Sequence, residues 1–185
     1  MREILKPASA LLIITLVAAV CLGYVHAITL QPIEAQKVIT EKNAVQQIFG
    51  DLDNTQPVDF TASDSDTVSK ALACSSGGSV VGYAVFAAPK GYSGSIELMV
   101  GFDTDGVIKG LQILSQSETP GLGANCVNPA FLDQFPNKSG VLAVTKSSPK
   151  DNEIQAMTSS TITTTAVVKG VNEAAAFFEQ YLKGR

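Results

Sequence analysis

The stretch SIELMVGF-DTDG-VIKGLQIL, residues 95–114, decides the fold. Ile96, Leu98, Val100 and Phe102 alternate with other residue types, the two-residue period of a strand that turns one face to a core. Asp105-Gly106 is a hairpin signal, because a tight turn needs residues that tolerate positive φ. Val107–Leu114 follows as the partner strand. Working upstream, Pro89–Gly94 and Gly77-Gly78 are turn segments, and Val80–Phe86 between them is rich in β-formers. Asp51–Asp66 is polar and reads as a loop with at most a short strand. Gln36–Gly50 spaces Val38, Ile39, Val45, Ile48 and Phe49 as a short amphipathic helix closed by glycine. Downstream, Pro129–Phe135 suits one or two helical turns and Val141–Thr145 a further strand. In Thr163–Lys183, Val167, Val171, Ala174, Ala175, Phe178 and Leu182 recur at helical spacing. The expected class is α+β: a mostly antiparallel sheet with flanking helices.

One segment lies outside this pattern. Ala8–Leu30 is 23 residues long, and no Asp, Glu, Lys or Arg occurs between Lys6 and Glu34. At about 1.5 Å per residue, roughly 20 helical residues cross a hydrocarbon core. Arg2 and Lys6 precede the run, so the positive-inside bias keeps the N-terminus in the cytoplasm and sends the remainder outward. A cleaved signal peptide is the competing reading, with Val25-His26-Ala27 as the cleavage site. The length of the apolar run favours a retained transmembrane anchor over residues 1–34. Residues 35–185 are then an extracytoplasmic domain in a single-pass membrane protein.

Composition excludes several functions. In 185 residues, 13 basic and 17 acidic side chains give a net charge of −4. No basic field exists to hold a nucleic acid. The one histidine, His26, lies in the apolar run, so the expected domain lacks the usual general base and the commonest metal ligand. No metal site and no independent catalysis are expected. Cys74 and Cys126 lack metal-ligand spacing and read as two buried thiols, with a disulfide between them as the alternative.

Two stretches carry chemistry. In Ala156–Thr165, AMTSSTITTT, seven of ten residues bear hydroxyls, immediately before the C-terminal helix. A helix start offers unpaired N–H groups and the positive end of a dipole, a ready anion site when hydroxyls are added. Simple capping by one Ser or Thr is the plainer explanation, but one cap needs one hydroxyl. The second stretch is Ser117–Asn125, SETPGLGAN, where a proline and two glycines fix a loop whose backbone can approach a ligand closely. Taken alone, it is a tight structural turn.

These two motifs together resemble the FMN-binding domain of the G subunit of the Rnf electron-transport complex. The C subunit of the sodium-pumping NADH:quinone oxidoreductase has a similar domain. The family's ETPGLG loop stands here as Glu118–Gly123, and residues 91–114 resemble its strand region. Its flavinylation motif, Asp-x-x-Ser/Thr-Gly-Ala-Thr, falls on Gln155 through Thr161. The resemblance therefore implies FMN joined through its phosphate to the Thr161 hydroxyl by a separate flavin transferase. Thr158, Ser159, Ser160, Thr163 and Thr164 surround the phosphate. Glu118, Thr119, Gly121, Leu122 and Gly123 lie beside the isoalloxazine, with Met99 as a further apolar contact. Ser159 and Ser160 replace the family's glycine and alanine, small for small, which leaves the backbone its course provided no positive φ is needed. Gln155 replaces the aspartate. The function implied is an electron-carrier subunit of a membrane complex that passes electrons between ferredoxin and NAD while moving Na⁺ or H⁺. The partners are the other subunits and the transferase. The alternative is an anchored binding module of the same family without covalent flavin.

Overall fold

A computed structural model of the chain describes residues 2–60 and 67–184. Residues 61–66, the end of the segment read above as a loop, lie outside the described residues. A single helix, α1, runs Arg2–Phe49, so the anchor and the amphipathic segment are one uninterrupted element. Pro7 and Pro32 lie within it. Each removes one N–H donor, and the helix continues through both. Gly50 ends it: its φ of 75° places it in the left-handed region, and its N–H reaches Gln46 O at 2.8 Å. Pro7–Phe49 is the one helix among the described residues long and apolar enough to cross a membrane. Its apolar side chains stand open, as Leu11 at 63%, Val20 at 63% and Leu22 at 71% exposure illustrate. A helix with greasy residues exposed all round has no aqueous core to bury them in.

Two compact units divide between Glu41 and Lys42. The second is built on a five-stranded antiparallel sheet in which spatial order equals chain order. Its strands are β1 (Asn54–Pro57), β2 (Val68–Ser76), β3 (Ser79–Ala87), β4 (Glu97–Phe102) and β5 (Ile108–Ser115). Gly77 and Gly78, with φ of 61° and 78°, form the two-residue turn that sets Ser76 opposite Ser79. The Asp105-Gly106 hairpin is also present, with the Asp103 carboxylate accepting from the N–H groups of Asp105 and Val107 at 2.9 and 2.8 Å. β1 is an exposed edge, and the 61–66 segment follows it. β2 is an addition to the sequence reading: VSKALACSS has few β-formers, and pairing on both sides makes it a strand.

Both faces of the sheet are covered. Leu98, Val100 and Phe102 are fully buried on the face taken by the C-terminal helix α3 (Thr161–Phe177). Val167, Val171, Ala174, Phe178 and Leu182 meet them, as their spacing requires. Each large side chain so buried contributes about 1.5–3 kcal/mol. Gly170 lets the helix approach; a Cβ there would lie 2.6 Å from the Pro89 ring. A π-helical turn, Phe178–Leu182, follows α3 and sets the Phe178 ring against Phe102 and Tyr83 at 5.2 and 5.7 Å. On the other face Cys74, Ala84, Phe86 and Met99 pack with Ala44, Val45, Ile48 and Phe49 at the end of α1. Glycines clear the seat for these residues: a Cβ at Gly101 would lie 2.6 Å from Ile48, and one at Gly110 3.0 Å from it.

The remaining elements close one end. A 3₁₀ turn (Gly123–Val127) leads into the short α2 (Pro129–Leu132). β6 (Ala143–Thr145) pairs in parallel with β7 (Glu153–Gln155). The Asn172 amide ties this pair to α3 by donating to Leu142 O at 2.9 Å and accepting from Leu142 N–H at 2.8 Å. The architecture is the α+β class expected from sequence, with an antiparallel main sheet.

The two domain thiols are free and buried, in clusters on different faces of the sheet. Burial pushes Cys74 from the ordinary 9.0 to about 11. Cys126 is likewise pushed to about 11, by burial first and by the Glu118 carboxylate second. Below pH 9 both thiols keep their protons folded or unfolded. Between 9 and 11 the unfolded chain ionises first, so the stability these groups contribute falls over that window. The unfolding midpoint of the wild type is expected to decline between pH 9 and 11 more steeply than that of a Cys74→Ala/Cys126→Ala chain. Parallel curves would refute it.

Candidate functional site

The site forms where three loops meet the first turn of α3. The chain leaves β7 at Gln155, turns through Thr158 and Ser159, and enters the helix with Ser160 at the N-cap. Ser159 has φ of 59°, a left-handed conformation that L-residues other than glycine adopt at a cost. The substitution at 159 is therefore not neutral for the backbone. The Gln155 side chain is not what anchors this entry. The Gln155 backbone N–H donates to the Gln134 side-chain oxygen at 2.7 Å, and the Gln155 residue is exposed.

Of the seven hydroxyls, Thr165 is exposed further along α3, and the other six divide by burial. Thr163 and Thr164 are buried, at 2% and 0% exposure. Thr164 Oγ1 donates to Ser160 O and accepts from Met157 N–H, at 3.0 and 3.1 Å. Thr163 Oγ1 donates to Glu118 Oε2 at 2.5 Å. Both hydroxyls donate within the protein, Thr163 to Glu118 and Thr164 to Ser160 O. Thr158 and Ser159 are exposed, Thr161 is half-buried, and Ser160 is buried with no hydrogen-bond partner for its hydroxyl. The first-turn N–H groups of Thr161, Ile162 and Thr163 have no acceptor within the helix, and no acidic side chain stands in that turn. A free helix N-terminus fringed by hydroxyls is suited to an anion.

Glu118 brings the second motif here. It is 5% exposed, and besides Thr163 it accepts from Ser93 N–H at 2.9 Å through Oε1. The loops at 91–94 and 118–123 are thus held to the start of α3 by one carboxylate. Thr119 is exposed and works through its backbone, its carbonyl accepting from Leu122 N–H and Ala124 N–H at 3.1 and 3.2 Å. Gly121 has φ of 76° with open space beside it. Gly123 serves close approach: a Cβ there would lie 2.5 Å from Thr163 Oγ1 and 2.6 Å from Glu118 Oε2. Leu122 is 42% exposed and available to a ligand. Met99 is not; it is fully buried on the face covered by α1.

Sequence reasoning missed Tyr92 and Ile162, exposed by 69% and 59%. Tyr92 adjoins Ser93, Leu122 adjoins Gly123, and Ile162 adjoins Thr163, so each neighbours a residue in contact with Glu118. Three large exposed side chains thus stand next in sequence to residues around Glu118, and exposed apolar groups near an anion-suited helix end are candidates for contact with an apolar ligand. The signal was the Gly-Tyr-Ser-Gly turn at 91–94, where the aromatic has no structural need.

Comparison with known proteins follows the same lines. Residues 91–176 match the FMN-binding domain family. The G subunit of the Na⁺-translocating ferredoxin:NAD⁺ oxidoreductase complex of Acetobacterium woodii is 34% identical, over 98% of this chain and 95% of that protein. Its counterpart in the proton-translocating complex of Clostridium ljungdahlii is 35% identical, over 85% and 82%. In fold, the chain resembles the crystal structure of the C subunit of the Na⁺-translocating NADH-quinone reductase from Parabacteroides distasonis. That match has a TM-score of 0.57 and 20% identity, covering 72% of this chain and 79% of that one. NqrC of Shewanella oneidensis gives 0.54 at 18% identity, over 74% and 85%.

Three backbone substitutions test this geometry by urea unfolding. Gly121→Ala is expected to cost about 1 kcal/mol, the strain of a side chain at positive φ. Gly123→Ala must displace the Glu118–Thr163 pair and is expected to cost more, about 2–3 kcal/mol. Ser159→Gly is expected to stabilise by roughly 0.5–1 kcal/mol. The reverse order for the two glycines would contradict their assigned roles.

Proposed function

The chain belongs to the family of G subunits of ion-translocating ferredoxin:NAD⁺ oxidoreductase (Rnf) complexes, and we propose that it relays electrons in such a complex through an FMN attached to Thr161. The observation that carries this reading is the Glu118–Thr163 hydrogen bond. It joins two motifs 45 residues apart into one site with a helix N-terminus, and exposed hydroxyls and apolar side chains lie beside these motifs in sequence. These are the parts a flavin mononucleotide needs: an anion seat for the phosphate and an apolar face for the ring.

The roles of the residues follow from what each has left to offer. Thr161 lies half-buried at the first helical position, where an ester on its hydroxyl would meet the free N–H groups of the first turn. Thr158 and Ser159, both exposed just before it, offer hydroxyl donors. Thr163 and Thr164 fix the helix entry. Glu118, Gly121 and Gly123 shape the loop, Thr119 closes its turn, and Leu122, Tyr92 and Ile162 face the ring. Bound FMN supplies the capacity to take up and pass on electrons singly or in pairs. The chain itself contributes position and electrostatics. No histidine stands near Thr161 to activate it, so attachment is the work of a separate flavin transferase. Ion translocation belongs to other subunits, because one apolar span, free of charged residues between Lys6 and Glu34, offers no polar path.

Residues 1–34 act as a single membrane anchor, and 35–185 form the flavin-carrying domain on the extracytoplasmic side. Arg2 and Lys6 before the apolar run support this orientation. Covalent linkage suits a carrier so placed, since a cofactor lost there is not recovered.

Two outcomes are expected. Thr161→Val keeps the shape and removes the hydroxyl, so the domain folds and carries no flavin in a denaturing gel or by intact mass. Wild-type fluorescence in that variant would sink the attachment site. In a Cys21→Ala background, where the remaining native thiols Cys74 and Cys126 are buried, Asp59→Cys at an exposed position should react with a membrane-impermeant maleimide in intact cells. Labelling that requires lysis would reverse the topology.

A further inference from the structure

Among the described residues, two buried side-chain polar atoms lack a hydrogen-bond partner, and one of them is the Ser160 hydroxyl. Ser160 is 6% exposed and occupies the N-cap of α3, yet its side chain makes no capping bond. Its backbone is fully engaged. The N–H donates to Met157 O at 3.0 Å, and the carbonyl accepts from both Thr164 N–H and Thr164 Oγ1 at 3.0 Å. Thr164 Oγ1 in turn accepts from Met157 N–H, so Met157, Ser160 and Thr164 form a closed ring of bonds. The residue is held in place with one group idle.

A hydroxyl withdrawn from water without a partner is costly, and N-cap serines ordinarily avoid that cost by bonding the N–H two or three residues on. Here the neighbouring hydroxyls are already committed, Thr163 to Glu118 and Thr164 to Ser160 O. Ser160 is thus the buried hydroxyl at this helix end with a donor to give. It sits beside the unpaired N–H groups of the first turn and directly before Thr161. We propose that Ser160 is a positioning residue for the phosphodiester on Thr161, its hydroxyl donating to a non-bridging phosphoryl oxygen that the unmodified chain lacks. This rests on the flavin reading above and adds a partner to it. It assigns a use to a serine where the family's motif has alanine.

The test compares full-length wild type with Ser160→Ala, each in two forms: flavinylated, and unmodified by expression without the flavin transferase. In the unmodified form Ser160→Ala removes an orphaned hydroxyl, so thermal unfolding is expected at the same temperature or higher. In the flavinylated form it removes a phosphate ligand, so the midpoint is expected to fall by roughly 2–4 °C. The phosphodiester ³¹P resonance should move at the same time, with the FMN adduct intact by mass. An equal fall in both forms overturns the proposal and leaves Ser160 an ordinary cap. An unchanged midpoint and ³¹P resonance in the flavinylated form overturns it as well. So does loss of the adduct in Ser160→Ala, which would make the residue part of what the transferase recognises. Absence of the adduct from wild type is a separate result: it overturns the flavin assignment itself and is read by mass before any Ser160 comparison.

Discussion

A carboxylate kept from water must find donors, and the whole candidate site is arranged around one that does. Glu118 takes the Thr163 hydroxyl through one oxygen and the Ser93 N–H through the other. Two glycines, at 91 and 123, leave it room; a Cβ on either would lie 2.6 Å from a Glu118 oxygen. Removing either donor leaves part of a buried charge unpaired, which is far more costly than the bond is worth when made. The three segments therefore stand or move together.

This arrangement gives the Ser/Thr-rich segment an internal division. Seven hydroxyls in ten residues look redundant as a string of letters. In three dimensions Thr163 and Thr164 are buried and bonded into the helix entry, Ser160 is buried with its hydroxyl unbonded, and Thr158 and Ser159 stand exposed at the turn. The left-handed Ser159 makes the turn that separates them. Seating the helix start is thus a prerequisite for presenting Thr161, and the two jobs fall to different side chains.

Much of the fold was legible because its turns are chemically explicit. Gly77-Gly78 and Asp105-Gly106 announce hairpins, and the alternation Ile96–Phe102 assigns a face. β2 was not legible, since Ala, Ser and Lys dominate it and its strand character comes from its neighbours. The helical pattern after Thr163 identified the core-facing residues, but its first turn begins at Thr161, where threonines disguise helical periodicity. For the site, both motifs were visible and their contact was not. Nothing local shows that Glu118 reaches Thr163, or that Tyr92 and Ile162 stay open. The positive φ at 159 was equally hidden, because a serine for a glycine reads as a small change until the backbone is seen. Met99 shows the opposite failure. Its strand was right, but its parity put it on the face away from the loop.

Spatial order equal to chain order has a kinetic consequence. Every pairing in the main sheet joins consecutive strands, so the meander can form from contacts close in sequence. The site cannot. Its defining bond closes a loop of 45 residues and waits for α3, the last long element of the chain, to dock. A chain interrupted before its C-terminal helix would lack both the cover for one face of the sheet and the Thr163 partner of Glu118. Local pairing of the sheet and long-range closure of the site are thus separate demands that one topology places on the chain.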